Sequence, residues 1–181
     1  MLTELRPDEI QVEALLLKAN VSKGSLYHHF EDFSELLEAA MVMKFAVGVD
    51  RDIEMLTQLL VSSSDKESLL NGLHLVTEYS HLPESRTRRF ERARILSKSQ
   101  GKPRLMELLS VEQQRLTDEL TDLIYEGQNK GWLSSEIDAR STAVFIQAFT
   151  LGRIVNDVTE NGFEQDRWTE LIDRVVRLAL S

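Results

Sequence analysis

Proline occurs at only three places in the 181 residues, Pro7, Pro83 and Pro103. Between them Leu, Ala, Glu and Arg recur at three- and four-residue spacing, with no sustained alternation of apolar and polar residues. A chain patterned this way reads as helices throughout, and the expected fold class is all-α. Turn residues gather at Asn20-Val21-Ser22, Ser62-Ser63-Ser64, Ser80 to Pro83, Ser97 to Pro103, Gly127 to Ser135 and Asn161-Gly162. Ser64 with Glu67, and Ser135 with Asp138, fit the capping pattern of a hydroxyl answered by an acid three residues on, which places helix starts there. The helices expected are 8–19, 23–29, 33–60 with Gly48 as a candidate break, 65–80, 84–98, 103–129, 136–158 and 166–180. No repeat at a fixed period is visible, which removes helical solenoids. Short helices come first and long ones after, so residues 1–45 read as a small head and 46–181 as a larger helical body.

Several function classes fall away on composition. Hydrophobic residues at 42% and charged residues at 28% are those of an ordinary globular chain long enough to bury a core. Cysteine is absent, so neither a disulfide framework nor a thiolate metal site can form, and the expected compartment is the reducing cytoplasm. No apolar run is long enough for a membrane span, and no basic-then-apolar segment opens the chain. Nucleophile elbow, phosphate-cradling glycine loop and His-Glu-x-x-His motif are all missing. An enzyme is therefore not expected, nor a cofactor.

A formal charge of −9 argues against a surface that coats nucleic acid over its whole extent. It leaves room for a small reading head. Between Ala14 and Phe30 the only charged side chains are Lys18 and Lys23. Val12, Leu15, Leu16 and Ala19 give the first helix one apolar face, the Asn20-Val21 turn follows, and Ser22 stands where it can cap a second short helix. This is the outline of a helix-turn-helix. On the second helix Leu26 and Phe30 would face inward with Val21, leaving Lys23, Ser25, Tyr27 and His28 outward. Lys23 can neutralise a phosphate, Tyr27 and His28 can donate to phosphate oxygens, and Ser25 is small enough to approach base edges. Gly24 lets the start of the helix lie close to a duplex. Adjacent His28 and His29 do not suggest a metal site, since neighbouring helical residues point about 100° apart and no third ligand stands at a useful spacing.

The string Val21-Ser22-Lys23-Gly24-Ser25-Leu26-Tyr27-His28-His29-Phe30, preceded by Ala19-Asn20 and followed by the amphipathic Ser34 to Ala40, resembles the DNA-binding signature of the tetracycline-repressor-like (TetR) transcriptional regulators. The resemblance covers about residues 10–45, with Gly131-Trp132-Leu133 as a weaker echo in the body. It implies that Lys23 to His29 is a recognition helix for the major groove. Gln11, Tyr27 and His28 would then contact phosphate, Ser22 and His29 would belong to the same surface, and Lys23, Gly24 and Ser25 would lie nearest the bases. It also implies a homodimer, an operator-DNA partner and a small-molecule effector bound in the body, with repression relieved by that effector as the default.

Three features depart from the family pattern. A complete helix usually precedes the helix-turn-helix pair, whereas only Met1 to Leu5 could supply its last turn, so the chain is expected to start upstream of Met1. Gln11 replaces the hydroxyl residue common at the start of the next helix. Phe33, beside acidic Glu31 and Asp32, stands where a phosphate-binding lysine is often found. These keep a rival open: a ligand-binding or protein-interaction dimer that has lost DNA binding.

In the body, the basic tract Arg86, Arg88, Arg89, Arg92, Arg94, Lys98, Lys102 and Arg104 reads as a solvated helix face with pairs such as Glu84 and Arg88; a second DNA patch or an anion site is the alternative. His74, Tyr79, Phe90, Ile95, Leu105, Leu109, Leu116, Leu120 and Phe149 are candidates to line the effector pocket that the resemblance implies. Ala143 to Val155 leaves hardly any polar face, and the last helix is also strongly apolar. The resemblance implies that these last two helices pair with their copies in a second subunit, which makes Phe145, Phe149, Ile154, Trp168, Leu171, Ile172 and Val175 the dimer-interface candidates; the surplus apolar surface agrees, since a monomer would expose a large patch.

Overall fold

The computed structural model describes residues 11–180, with side chains to residue 178. Those residues form helices and turns with no strand among them. The helices are α1 (Val12–Ala19), α2 (Lys23–His29), α3 (Phe33–Ser62), α4 (Lys66–Tyr79), α5 (Pro83–Lys98), α6 (Pro103–Asn129), α7 (Ala139–Gly152), α8 (Ile154–Asp157) and α9 (Gln165–Leu180). None of them is long and apolar enough to cross a membrane. The start expected for the first helix at residue 8, and any turn at Met1 to Leu5, lie outside the described residues.

The long helix α3 is the spine. It runs unbroken through Gly48, so the division expected between residues 45 and 46 falls inside a continuous helix. α6 packs along α3 on one side and along α7 on the other, α4 lies against α3 and α9, and α5 against α3 and α8. The core is where the first of these contacts meet: Met41, Phe45 and Val49 of α3 are buried with Leu105, Leu109, Leu116, Leu120 and Ile124 of α6, Ile95 of α5, and Ala139 and Ala143 of α7. Leucines four apart on α6 point down one face. They close this core together with Ile95 of α5.

Local rules set most helix ends, although two starts differ from expectation. α4 is capped by Asp65, whose carboxylate accepts from Ser68 N–H at 2.7 Å while the Ser68 hydroxyl accepts from Asp65 N–H at 3.1 Å. The box is therefore Asp65 with Ser68, one residue on from Ser64 with Glu67. α7 starts at Ala139 and is capped by Asp138, which accepts from Ser141 N–H at 2.7 Å. Ser135 is passed over because Gln128 of α6 donates to the carbonyls of Ser134 at 2.8 Å and Ile137 at 2.9 Å, pinning that loop in a non-helical path. The expected 136–158 helix is also divided, since Arg153 stands in a turn between α7 and α8.

Arg153 is the reason for the break. It is 5% exposed, and its guanidinium donates to the Ser80 hydroxyl and to His81 Nδ1 at the end of α4, the latter at 2.9 Å. His81 donates in turn to Thr169 Oγ1 of α9 at 3.0 Å, so its proton sits on Nε2. Arg89 of α5 forks onto both oxygens of Asp157 at 2.6 and 2.7 Å and reaches the Ser80 carbonyl at 2.9 Å. α9 docks on α4 through a ladder of Glu67 with Arg177, His74 with Asp173, and His81 with Thr169.

Candidate nucleic-acid interface

α1 ends on Asn20, the one described non-glycine residue with positive φ (53°), and Val21 N–H closes the turn onto the Leu16 carbonyl at 3.1 Å. Asn tolerates this left-handed conformation better than other side chains, and so the turn is tight. Ser22 caps α2 as expected, accepting from Ser25 N–H at 3.0 Å. Leu26 is buried and Phe30 half-buried, but Val21 is exposed rather than inward-facing. Two of the three expected anchors thus hold α2 from behind.

Gln11, Ser22, Lys23, Gly24, Ser25, Tyr27, His28 and His29 are all exposed. The surface that the sequence assigns to DNA is therefore free to meet a ligand. Lys23 lies with its ammonium 6.0 Å from the Tyr27 ring centre, and the His28 and His29 rings meet edge to face at 5.2 Å. Among the described residues no group of three His, Asp or Glu side chains could hold a metal ion. Gly24 has ordinary negative φ, and a Cβ placed there would meet only Ser22 Oγ, at 3.8 Å. Nothing among the described residues requires glycine there. Gly24→Ala is expected to raise thermal stability by up to about 1 kcal/mol, through lower chain entropy when unfolded, and, on the DNA surface that the sequence resemblance implies, to weaken DNA binding by adding a methyl group to the exposed face of α2. Calorimetry and a DNA titration on the same sample check the two opposite signs.

The acidic residues beside Phe33 serve the fold. Asp32 caps α3, accepting from Glu35 N–H at 2.8 Å, and Glu35 accepts from Glu31 N–H at 2.6 Å. Phe33 itself is half-buried at the first position of α3.

Most of the basic tract makes tertiary ties, although Arg86, Lys102 and Arg104 stay exposed. Arg86 donates to the Asp157 carbonyl, and Arg92 meets Asp52 at 3.3 Å and Gln113 at 2.9 Å. Lys102 pairs with Glu38 at 2.7 Å and Arg104 with Glu35. Arg94 lies 3.9 Å from Glu91, and Arg88 covers the Tyr79 ring at 5.2 Å.

The pocket candidates do not form one site. Four leucines are core, Tyr79 and Phe90 are at the surface, His74 is paired with Asp173 at 2.7 Å, and Phe149 joins an aromatic stack. A slot of about 230 Å³ instead lies between α5, α6 and α7, lined by Arg92, Leu96, Gln113, Thr117, Val144 and Gln147 among others. A polar chain crosses it, from Asp52 through Arg92, Gln113 and Gln147 to Thr117. Burial raises the Asp52 carboxyl above its ordinary range, with Arg92 opposing, and burial lowers Arg92. The one sequence signal for this slot was Gln147, which with Thr150 interrupts the apolar run of α7.

Of the dimer candidates, Phe145, Phe149 and Trp168 form a continuous stack, with ring centres 6.3 and 5.7 Å apart. Phe145 and Leu171 are more than half exposed, and Val175 is exposed as well. Ile154 is half-buried. Ile172 turns the other way and is 8% exposed, lost to its own protomer's packing.

No family model and no curated protein matches the sequence. Solved structures do. A putative TetR-family transcriptional regulator from Rhodococcus sp. superposes with a TM-score of 0.65 at 20% identity, over 97% of this chain and 89% of that one. The reduced form of NemR from E. coli gives 0.64 at 17% identity, over 97% and 88%. The ketosteroid transcriptional regulator KstR2 of Mycobacterium tuberculosis gives 0.57 at 14% identity, over 97% and 86%. The chain has the TetR-regulator fold.

Proposed function

We propose that this protein is a homodimeric DNA-binding transcriptional regulator with α2 as its recognition helix, and that a small effector bound in the body controls it. The observation that carries the reading is the exposed, Ser22-capped helix Lys23–His29 on a TetR-regulator fold. Two such helices, about one DNA turn apart, fit successive major grooves of a roughly palindromic operator. The effector belongs in the slot lined by Arg92, Gln113, Thr117 and Gln147, where apolar walls meet a few oriented polar groups. Repression lifted by the effector is the sign we assign, with binding and release linked through the difference in effector affinity between two states. The head at 1–45 and body at 46–181 are divisions of labour along α3, not separate folding units.

The dimer face we assign is Phe145, Leu171 and Val175, with the exposed Val144, Val155, Val158 and Leu178 around them. The test combines both claims. In an anisotropy titration with a duplex from upstream of the gene, the protein is expected to bind tightly and to weaken steeply with salt. The Phe145→Asp/Leu171→Asp variant is expected to sediment as a monomer and to lose at least tenfold in affinity, because each half-site is then held alone. Wild-type binding that is weak and insensitive to sequence would sink the proposal.

A further inference from the structure

The recognition helix reaches α3 through three residues, Phe30, Glu31 and Asp32, of which Phe30 and Asp32 have extended backbone. Such a link would let α2 swivel unless something fixed it. Glu35 does so from the first turn of α3. Its Oε2 accepts from Glu31 N–H at 2.6 Å, and its own N–H donates to Asp32 at 2.8 Å. Its other oxygen, Oε1, is held by Arg104 Nη2 in the first turn of α6. One turn along, Glu38 meets Lys102 at 2.7 Å, and further on Lys44 meets Glu91 of α5. The same α6 carries Gln113 and Thr117 into the slot.

We infer that Glu35 is the positioning residue of the reading head: one carboxylate sets the angle at which α2 leaves α3 and, through Arg104, registers that angle to α6. This rests on the reading of α2 as a DNA-recognition helix. The Glu35 carboxyl is held below its usual range, first by the Glu31 N–H and then by Arg104. Both partners thus bind its charged form. Arg104 is 60% exposed, and exposed pairs add little to global stability. The pair therefore acts on geometry more than on folding. A shift of α6 as the slot fills pulls on Arg104 and turns the head, while α3 stays packed on its core.

Arg104→Gln and Arg104→Lys separate this from a purely structural role and from a direct phosphate contact. Expected for Arg104→Gln are an unchanged melting temperature, an unchanged dimer, faster exchange of the Glu31 amide in hydrogen-exchange NMR, and a five- to twentyfold loss of operator affinity with an unchanged salt slope. Arg104→Lys should recover most of both losses. A salt slope lower by about 2 per dimer, as expected if two phosphate contacts were lost, would show Arg104 touching DNA and overturn the inference. So would wild-type exchange at Glu31 in Arg104→Gln. The exchange experiment contains no DNA, so it decides the Glu35 link even if the protein binds no operator.

Discussion

The Lys23→Ala/Tyr27→Ala variant is expected to lose roughly 1,000-fold in operator affinity while remaining a folded dimer. The magnitude follows from four contacts per dimer, two from each recognition helix, at about 1 kcal/mol each. Folding is spared because both side chains are exposed, and the ammonium lies 6.0 Å from the ring centre, at the outer limit of a useful cation–π contact. The salt dependence gives a sharper readout than affinity. Two lysines lost per dimer should lower the slope of log K against log salt by about 2, whereas Tyr27→Ala alone should weaken binding and leave the slope unchanged, since a neutral hydroxyl releases no counterion. A double variant with wild-type affinity and slope would remove α2 from the interface. Wild type that binds no duplex from upstream of the gene would instead favour the rival of a helical dimer without DNA binding.

The head was legible in the sequence because its determinants are local. Asn20 in the turn, Ser22 as cap and Leu26 as anchor act within a few residues of where they stand, and around buried Leu26 the residues Lys23, Gly24, Ser25, Tyr27, His28 and His29 are exposed. The all-helical class was legible for the same reason. What escaped the sequence depends on partners far along the chain. α7 starts three residues late because Gln128 holds the loop ahead of it, and it ends early because Arg153 turns toward Ser80 and His81, more than 70 residues away. The basic tract looked like a solvated face because its acids, Glu35, Glu38, Asp52 and Asp157, lie on other helices. The Glu67, His74 and His81 spacing of seven on α4, answered by Arg177, Asp173 and Thr169 at steps of four on α9, was a readable pattern. It lacked meaning until the two helices were known to be neighbours.

Asp157→Asn is expected to destabilise the protein by about 3–5 kcal/mol, the cost of removing one partner from a buried ion pair, and hence to lower the melting temperature by roughly 6–20 °C. Arg89 and Asp157 are 6% and 7% exposed at their side chains, and Arg153 is buried beside them. Two guanidiniums therefore share one carboxylate. Burial, then the charge of Arg89, lowers Arg153 to about 10 even with Asp157 in place. Without that carboxylate no acid described in the cluster offsets either cation, and Arg153 keeps only the faces of Phe163 and Trp168, at 5.6 and 5.9 Å. His81 cannot do so, because burial first and Arg153 next push its pKa down, and its Nδ1 is already the acceptor for Arg153. The pH dependence follows in sign. Asp157 is held below the ordinary carboxylate range chiefly by its bonds to Arg89, so its contribution is complete above the unfolded value of about 3.9 and is lost as pH falls through the folded value. Wild type should therefore lose stability below about pH 4 by more than Asp157→Asn does, and the two curves should converge in acid. Because Asp157 ends α8 and Arg153 directly precedes it, the same variant should also loosen the aromatic stack of Phe149, Phe163 and Trp168, readable as a change in tryptophan fluorescence at temperatures below the transition. Equal stability of the two proteins at neutral pH would mean that Arg89 and Arg153 find water when the acid is gone, and that α8 is not held from within.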